Sequence, residues 1–188
     1  ALNKNIPAEG EINGTIKYSN ATEPEIQTNL KVYNLIYSNM SFPLLEVSST
    51  IKDDKIIIKK ADAFVDENSS LKLGGELLCN FPPVEDEKII SGQKDIDLDI
   101  NFADFPVEYL NNYIVKKHDL KGKLTGNITV HNTLENPAIN TIFKINKPGF
   151  NFINGEYIRA KAFYRNDSLM FEEIEIDQGG GKYTGKGY

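Results

Sequence analysis

Two acidic groups in this chain carry the residue types that metal binding needs. Asp95, Asp97 and Asp99 alternate along one segment, so they would stand about 7 Å apart on one face of a strand. Calcium prefers carboxylate oxygens but needs a loop that curves around the ion, and an alternating run has no such curvature. We therefore expect a solvated outer face rather than a metal site, and the same reasoning covers a second acidic group: Glu172, Glu173 and Glu175.

The histidines and the cysteine offer no catalytic arrangement. His118 and His131 lie in a loop and at a strand end, and no Ser, Cys or Asp pattern around them indicates a nucleophile. Cys79 is the single cysteine, so the chain can form neither an internal disulfide nor a cysteine-based zinc site. We expect Cys79 to be a small buried hydrophobic residue. The sequence thus predicts a non-catalytic protein with no metal and no cofactor.

The composition of the chain argues against two classes of partner. A hydrophobic content of 40% with 26% charged residues is typical of a folded soluble protein. The net charge of -6 argues against nucleic acid or an anionic membrane surface, because both select a basic footprint. No apolar run approaches the roughly 20 residues that a transmembrane helix needs. The single cysteine fits a cytosolic protein or a periplasmic one that avoids disulfides.

Residues 120–139 are the segment around which the rest of the chain is organised. Their apolar side chains share one parity, which predicts a strand with one apolar side: Leu120, Leu124, Ile128 and Val130. Asn132 tolerates the left-handed conformation of a turn, and Pro137 cannot donate to a ladder. The strand must therefore stop there, and a new strand starts near Ile139.

The same sequence pattern occurs earlier in the chain, which predicts an internal repeat. Residues 10–18 carry glycines and apolar residues in the same order as residues 122–130, and the match continues downstream at a spacing of about 112 residues. We expect one elongated domain over residues 1–188, built from repeats at about 10–78 and 122–188. Residues 79–121 join them. The chain starts and stops in repeat-type sequence, so we expect it to be a piece of a larger protein.

The joining segment predicts one strand and the only helix. Residues 95–102 alternate cleanly between charged and apolar side chains and predict a strand. Residues 105–115 predict a short amphipathic helix, with Asp104 as its N-cap and Pro106 in its first turn. Its docking face would be formed by Val107, Leu110 and Ile114, which recur at steps of three and four residues.

Four phrases together resemble the repeat region of TamB and AsmA-like proteins, the translocation and assembly module family of two-membrane bacteria. They are Phe-Pro-Val-Glu-Tyr-Leu at 105–110, Leu-Lys-Gly-Lys-Leu-Thr-Gly-Asn-Ile-Thr-Val at 120–130, Asn-Thr-Leu-Glu-Asn-Pro at 132–137 and Tyr-Thr-Gly-Lys-Gly at 183–187. The resemblance covers residues 105–188 well and 10–78 more loosely. Asn132 stands where the family usually has glycine, and Asn can hold the same left-handed angle.

The resemblance implies an all-β fold: an elongated, curved, mostly antiparallel meandering sheet that forms an open U-shaped, taco-like groove. It implies the periplasmic portion of an inner-membrane-anchored protein, with a TamA-type outer-membrane barrel as partner of the full-length protein. The cargo would be phospholipid acyl chains or nascent outer-membrane protein strands. The groove would be lined by the apolar residues of one strand face: Ile12, Ile16, Tyr18, Leu71, Leu73, Ile96, Leu98, Ile100, Phe102, Leu120, Leu124, Ile128, Val130, Phe143 and Ile145.

Two other functions remain open at this point. The apolar parity is equally typical of a β-sandwich adhesion or structural domain, whose apolar faces close into a sealed core. A carbohydrate-active enzyme is less favoured, because the chain has no Trp for sugar stacking and no convincing acid pair in a cleft. Lipid bound to the purified protein would favour the groove over the sandwich.

Overall fold

The structure is a computed structural model that describes residues 8–20, 24–37, 40–81, 90, 94–111, 119–151 and 153–187. In this part of the chain, twelve strands belong to one antiparallel sheet. The strands are β1 (Ala8–Ser19), β2 (Glu25–Tyr37), β3 (Met40–Lys52), β4 (Lys55–Phe64), β5 (Ser70–Leu78), β6 (Asp95–Pro106), β7 (Leu120–Thr133), β8 (Pro137–Phe150), β9 (Ile153–Asn154), β10 (Tyr157–Arg165), β11 (Ser168–Gln178) and β12 (Gly181–Gly187).

The sheet is an open meander. All strands except the two-residue β9 lie in the sheet in chain order, and each pairs antiparallel with the next. Strand β9 pairs only with β8. β1 and β12 lie at opposite ends of this order and do not pair with each other, so the sheet is not closed. The predicted all-β class and the antiparallel meander are confirmed.

The strands of the first half recur in the second half at similar intervals. β1 begins at residue 8 and β7 at 120, β2 begins at 25 and β8 at 137, and β4 begins at 55 and β11 at 168. β6 stands between the two series. The sheet itself runs through both halves without a break, so the two-repeat organisation stays an interpretation of the sequence.

Turn chemistry sets two of the hairpins. Asp53 and Asp54 have φ of 51° and 57°, and Asn166 and Asp167 have φ of 51° and 56°. Positive φ at both central residues matches the right-handed twist of the flanking strands and makes a two-residue hairpin. Asn132 also holds the expected left-handed angle, with φ of 72°.

The predicted helix over residues 105–115 is wrong at its start. Phe105 and Pro106 end β6, where they pair with Leu124 and Lys123 of β7. A single 3₁₀ turn, Val107–Leu110, follows, and residues 112–118, including Ile114, lie outside the described residues. Pairing with β7 and burial of Phe105, which is 2% exposed, outweigh the local helical preference.

The expected N-cap also has a different role. Asp104 lies in the β6 bulge with φ of 41°. Its backbone N–H donates to the Thr125 hydroxyl over 3.2 Å, and its carboxylate accepts a hydrogen bond from that hydroxyl over 3.1 Å. Asp104 therefore ties the bulge to β7 instead of capping a helix.

The chain exposes more surface than a compact protein of its mass. Its accessible surface is 12583 Å², whereas a compact monomer of this mass exposes roughly 9000 Å². Among the described residues, few large apolar side chains are buried, and Phe42, Phe105 and Val107 are three of them. They cluster at one end of the sheet, around the 3₁₀ turn. A single layer of strands explains both observations, because no second layer of described strands packs on either face of the sheet.

Candidate functional site

The strand register places one row of apolar residues across the whole sheet. Residues directly opposite each other in an antiparallel pair point to the same face. Starting at Ile12 and following the partners from strand to strand, the row contains no polar side chain: Ile12, Val32, Leu45, Ala63, Leu71, Phe102, Gly126, Phe143, Ala160, Ile174 and Gly185. We call this row and the rows parallel to it that begin at Gly14, Ile16 and Tyr18 the apolar face.

The parallel rows are also largely apolar. The row from Gly14 includes Leu73, Ile100 and Ile128, and the row from Ile16 includes Leu98 and Val130. Beyond the first row, Leu124 faces Ile145, and Ile145 faces Ile158. The predicted groove residues therefore lie in these rows, except Leu120, Leu124 and Ile145, which lie on β7 and β8 beyond the first row. Contact of any of them with a cargo stays a prediction.

The opposite face of the sheet is polar and carries cross-strand ion pairs. Glu46 lies between Lys31 and Lys60, with 2.8 Å from the Lys31 ammonium to its carboxylate. The hydrogen bonds from Lys31 and then Lys60 lower the pKa of Glu46 from 4.5 to about 2. Asp97 and His131 face each other on the same side, 3.0 Å apart. This face therefore meets water, as the alternating sequence predicts.

A pocket of about 580 Å³ opens on the apolar face beside the 3₁₀ turn. Strands β6, β7, β8, β10 and β11 contribute its walls, and almost all of the lining surface is hydrocarbon. Eight of the predicted residues line it: Phe102, Val107, Leu110, Leu120, Leu124, Ile128, Phe143 and Ile145. The size and lining are those of a site for an apolar small molecule.

Several lining residues were missed by the sequence reasoning. Ile158 and Ile176 face each other across β10 and β11, and both line the pocket together with Phe150 and Pro148. Ile158 alternates with Ala160 on β10, and Ile176 alternates with Ile174 on β11, so both have the spacing of residues in the apolar row. Extending the predicted face through the last hairpin would have found both of them.

Other predicted residues lie away from the pocket. Ile12, Ile16 and Tyr18 are on β1 at the edge of the sheet and are 72%, 68% and 63% exposed. Ile96 is buried, while Leu71, Leu73, Leu98, Ile100 and Val130 are half-buried in the middle of the apolar face. The pocket thus brings together only some of the predicted residues of β6, β7 and β8, and none of those of β1 or β5.

The 3₁₀ turn packs on the sheet through aromatic rings. Tyr109 meets Phe105 and Phe42 edge-to-face, each with ring centroids 5.7 Å apart. The Tyr109 hydroxyl donates to the Ser41 carbonyl over 3.0 Å. Phe42 and Ser41 are on β3 and Phe105 is on β6, so the turn bridges strands that do not pair with each other. It closes one end of the apolar face, next to the pocket.

Among the described residues, the side chains of metal-binding type do not form a cluster. In the described ranges, no three His, Cys, Asp or Glu side chains meet in a way that could hold a metal ion. Asp95, Asp97 and Asp99 are exposed, and His118 lies outside the described residues. Cys79 is buried as predicted, and burial raises the pKa of its thiol.

Comparison with known proteins gives no relative from which to transfer a function. No family model, no curated protein and no solved structure matches the chain. Where the structure describes the chain, no helix has the length and apolar character that crossing a bilayer requires. The geometry of the apolar face is therefore the evidence on which a function must rest.

Proposed function

We propose that this chain is a non-catalytic groove segment of a TamB/AsmA-like envelope protein, and that it shields the acyl chains of phospholipid from water. In this proposal the curved sheet forms an open U-shaped groove with the apolar face inside. The observation that carries it is the unbroken apolar row across the sheet, together with the hydrocarbon-lined pocket. The full-length protein would be anchored in the inner membrane, act in the periplasm and meet a TamA-type barrel.

The energetics of lipid transfer require such a surface. Exposed methylenes cost about 0.8 kcal/mol each, so two chains of roughly 15 methylenes cost on the order of 24 kcal/mol in water. The apolar face supplies hydrocarbon contacts from strand to strand, so a lipid does not have to leave one site before it reaches the next. A continuous face therefore lowers the cost at each position along the path.

Acyl chains fit the pocket better than nascent polypeptide strands do. The backbone groups of β6, β7, β8 and β10 are already paired within the sheet. A polypeptide bound in the pocket would bury its own N–H and C=O groups without partners, at a cost of roughly 1–3 kcal/mol each. An acyl chain has no such groups. The alternative of a sealed β-sandwich is not favoured either, because all described strands form one open sheet.

Photo-crosslinking from two adjacent positions of β8 tests the proposal. Phe143 lines the pocket on the apolar face, whereas Ile142 is on the opposite face and 52% exposed. A photoreactive phenylalanine analogue at Phe143 should label phospholipid when the protein is expressed in a two-membrane bacterium. The same analogue at Ile142 should not, although both native residues are hydrophobic.

Mass spectrometry of the crosslinked species distinguishes the outcomes. Lipid adducts at Phe143 but not at Ile142 support the proposal. Equal labelling at both positions, or labelling at Phe143 by protein alone, contradicts it. Ile128→Glu places a carboxylate on the pocket wall and should abolish the lipid adduct at Phe143, while Asp99→Glu on the polar face should leave the adduct unchanged.

A further inference from the structure

The pocket on the apolar face has exposed polar side chains at one end only. Its described lining includes four polar side chains: Lys121, Asn127, Thr141 and Gln178. The sheet already satisfies two of them, because the Asn127 amide donates to the Ile100 carbonyl over 3.3 Å and the Thr141 hydroxyl donates to the Asn127 carbonyl over 3.0 Å. Lys121 and Gln178 are the two that are exposed to solvent.

Both exposed side chains lie at the end of the sheet that carries the 3₁₀ turn. Lys121 follows Leu120, whose backbone N–H donates over 3.1 Å to the side chain of Asn111, directly after the turn. Gln178 is the last residue of β11. The antiparallel pairing places the start of β7, the end of β8, the start of β10 and the end of β11 together. A ligand with an apolar tail and a polar head therefore fits the pocket with its head at this end.

Two carboxylates lie close to the Lys121 ammonium at this end. The Asp119 carboxylate is 2.7 Å from the ammonium. Glu108 of the 3₁₀ turn accepts a hydrogen bond from the Gly122 N–H over 3.4 Å. The hydrogen bond to Asp119 is the main reason that the pKa of Lys121 is raised, and the charge of Glu108 raises it further. We call Glu108, Asp119 and Lys121 the charged rim, which holds one positive and two negative charges.

We propose that the charged rim selects phospholipids whose head is zwitterionic. The phosphate of such a head accepts a hydrogen bond from Lys121, and its ammonium donates one to Asp119, so both charges of the ion pair stay paired when the lipid binds. An anionic head without an ammonium also reaches Lys121, but it meets the carboxylates of Asp119 and Glu108 with no cation between them, and like charges in contact repel. The selection rests on the proposed function, because the acyl chains in the pocket hold the head at the rim.

Calorimetric titration of the full 188-residue chain with two phospholipids measures the selection. Both lipids carry the same short acyl chains and are used below their micelle concentrations. One has a zwitterionic phosphoethanolamine head and the other an anionic phosphoglycerol head. The native chain should bind the phosphoethanolamine lipid about fivefold more tightly, a ratio typical of one charge pair at an exposed site.

Asp119→Asn and Lys121→Gln should change this ratio in opposite directions. Asp119→Asn removes the acceptor of the lipid ammonium and a charge that repels the phosphate, so the ratio should fall to about one. Lys121→Gln removes the donor to the phosphate and leaves both carboxylates, so both lipids should bind more weakly and the anionic lipid should lose more. The two native side chains are 57% and 56% exposed, and circular dichroism should show native strand content in both variants.

A second exposed ion pair supplies the matched control. Lys161 pairs with Glu172, with side chains 52% and 45% exposed, and neither residue lines the pocket. Lys161 faces Ile142 on the polar side of the sheet. Lys161→Gln and Glu172→Gln should therefore leave the ratio of the two affinities at its native value.

The outcomes separate failure of the selection from failure of the lipid function. A native ratio of one or below, a ratio that the rim variants leave unchanged, or an equal response to the control variants overturns the selection. If Ile128→Glu still abolishes binding of both lipids in that case, the pocket binds lipid and only the selection is wrong. Absence of binding to the native chain, or binding that Ile128→Glu does not alter, contradicts the lipid function and the selection together.

Discussion

Two adjacent glycines of β5 have different structural roles. An added Cβ at Gly75 would lie 2.1 Å from the Asp97 carbonyl oxygen, and the residue has φ of 129°. An added Cβ at Gly74 would meet only the Ile58 carbonyl oxygen at 3.6 Å, an ordinary contact. Gly75 therefore permits the close approach of β5 and β6, whereas Gly74 does not limit that distance.

Gly75→Ala should destabilise the protein and Gly74→Ala should not. The Cβ at residue 75 forces β6 away and also places alanine at a positive φ, so the free energy of unfolding should fall by at least about 2 kcal/mol. Gly74→Ala should change the free energy of unfolding by less than about 0.5 kcal/mol, or raise it. Alanine lowers the conformational entropy of the unfolded chain, so less entropy is lost on folding. Urea denaturation of both variants measures the difference, and equal effects would contradict this account of Gly75.

Local turn chemistry made several residues predictable. The hairpins at Asp53-Asp54 and Asn166-Asp167 and the left-handed Asn132 follow from side chains that act on their own backbone, which a sequence shows directly. The positive φ of Gly75 depends on where β6 lies, and no local pattern distinguishes it from Gly74. Residues whose conformation depends on their own side chain were found, and residues set by a neighbouring strand were not.

At the scale of elements, the 3₁₀ turn shows why the predicted helix failed. Phe105 and Pro106 carry helix-start signals, yet both continue β6 into its pairing with β7. Edge-to-face contacts of Tyr109 with Phe42 and Phe105 stabilise that arrangement, and they join residues far apart in sequence. Phe42 belongs to β3, so its role could not be read from the segment around residue 105. Val107 and Leu110, predicted as part of a helical docking face, line the pocket from the 3₁₀ turn, in which residues three apart also lie on one side.

Tyr109→Phe should weaken the attachment of the 3₁₀ turn without disturbing its packing. The change removes the hydrogen bond to the Ser41 carbonyl and the one accepted from the Ser41 N–H over 3.3 Å. The free energy of unfolding should fall by about 1 kcal/mol. Tyr183→Phe, at an exposed tyrosine of β12, is the control and should stay within about 0.5 kcal/mol of the native protein. Equal stabilities for the two variants would show that the Ser41 hydrogen bonds do not hold the turn.

The described strands of the molecule form a single layer, and this distinguishes it from a compact domain. An unfolded chain of this mass exposes roughly 30000 Å², so folding removes only about 60% of its surface, the fraction typical of a domain of some 60 residues. The alternation that predicted one apolar face of the sheet is compatible both with a β-sandwich and with an open sheet. Only the strand order, with β1 and β12 unpaired at opposite ends, separates them.

The open sheet makes a prediction for the size of the monomer in solution. Strands spaced about 4.8 Å apart and about 40 Å long form an open sheet whose radius of gyration is about 19 Å when flat and about 18 Å when bent into a half-cylinder. A compact domain of this length has about 16 Å. Small-angle X-ray scattering on the native chain, extrapolated to zero concentration, measures this radius for the monomer. A value near 16 Å would mean that the apolar face folds onto itself and is sealed, which would leave no surface for a lipid. A value of about 18 Å or more would mean that the face stays open to solvent, as the pocket requires.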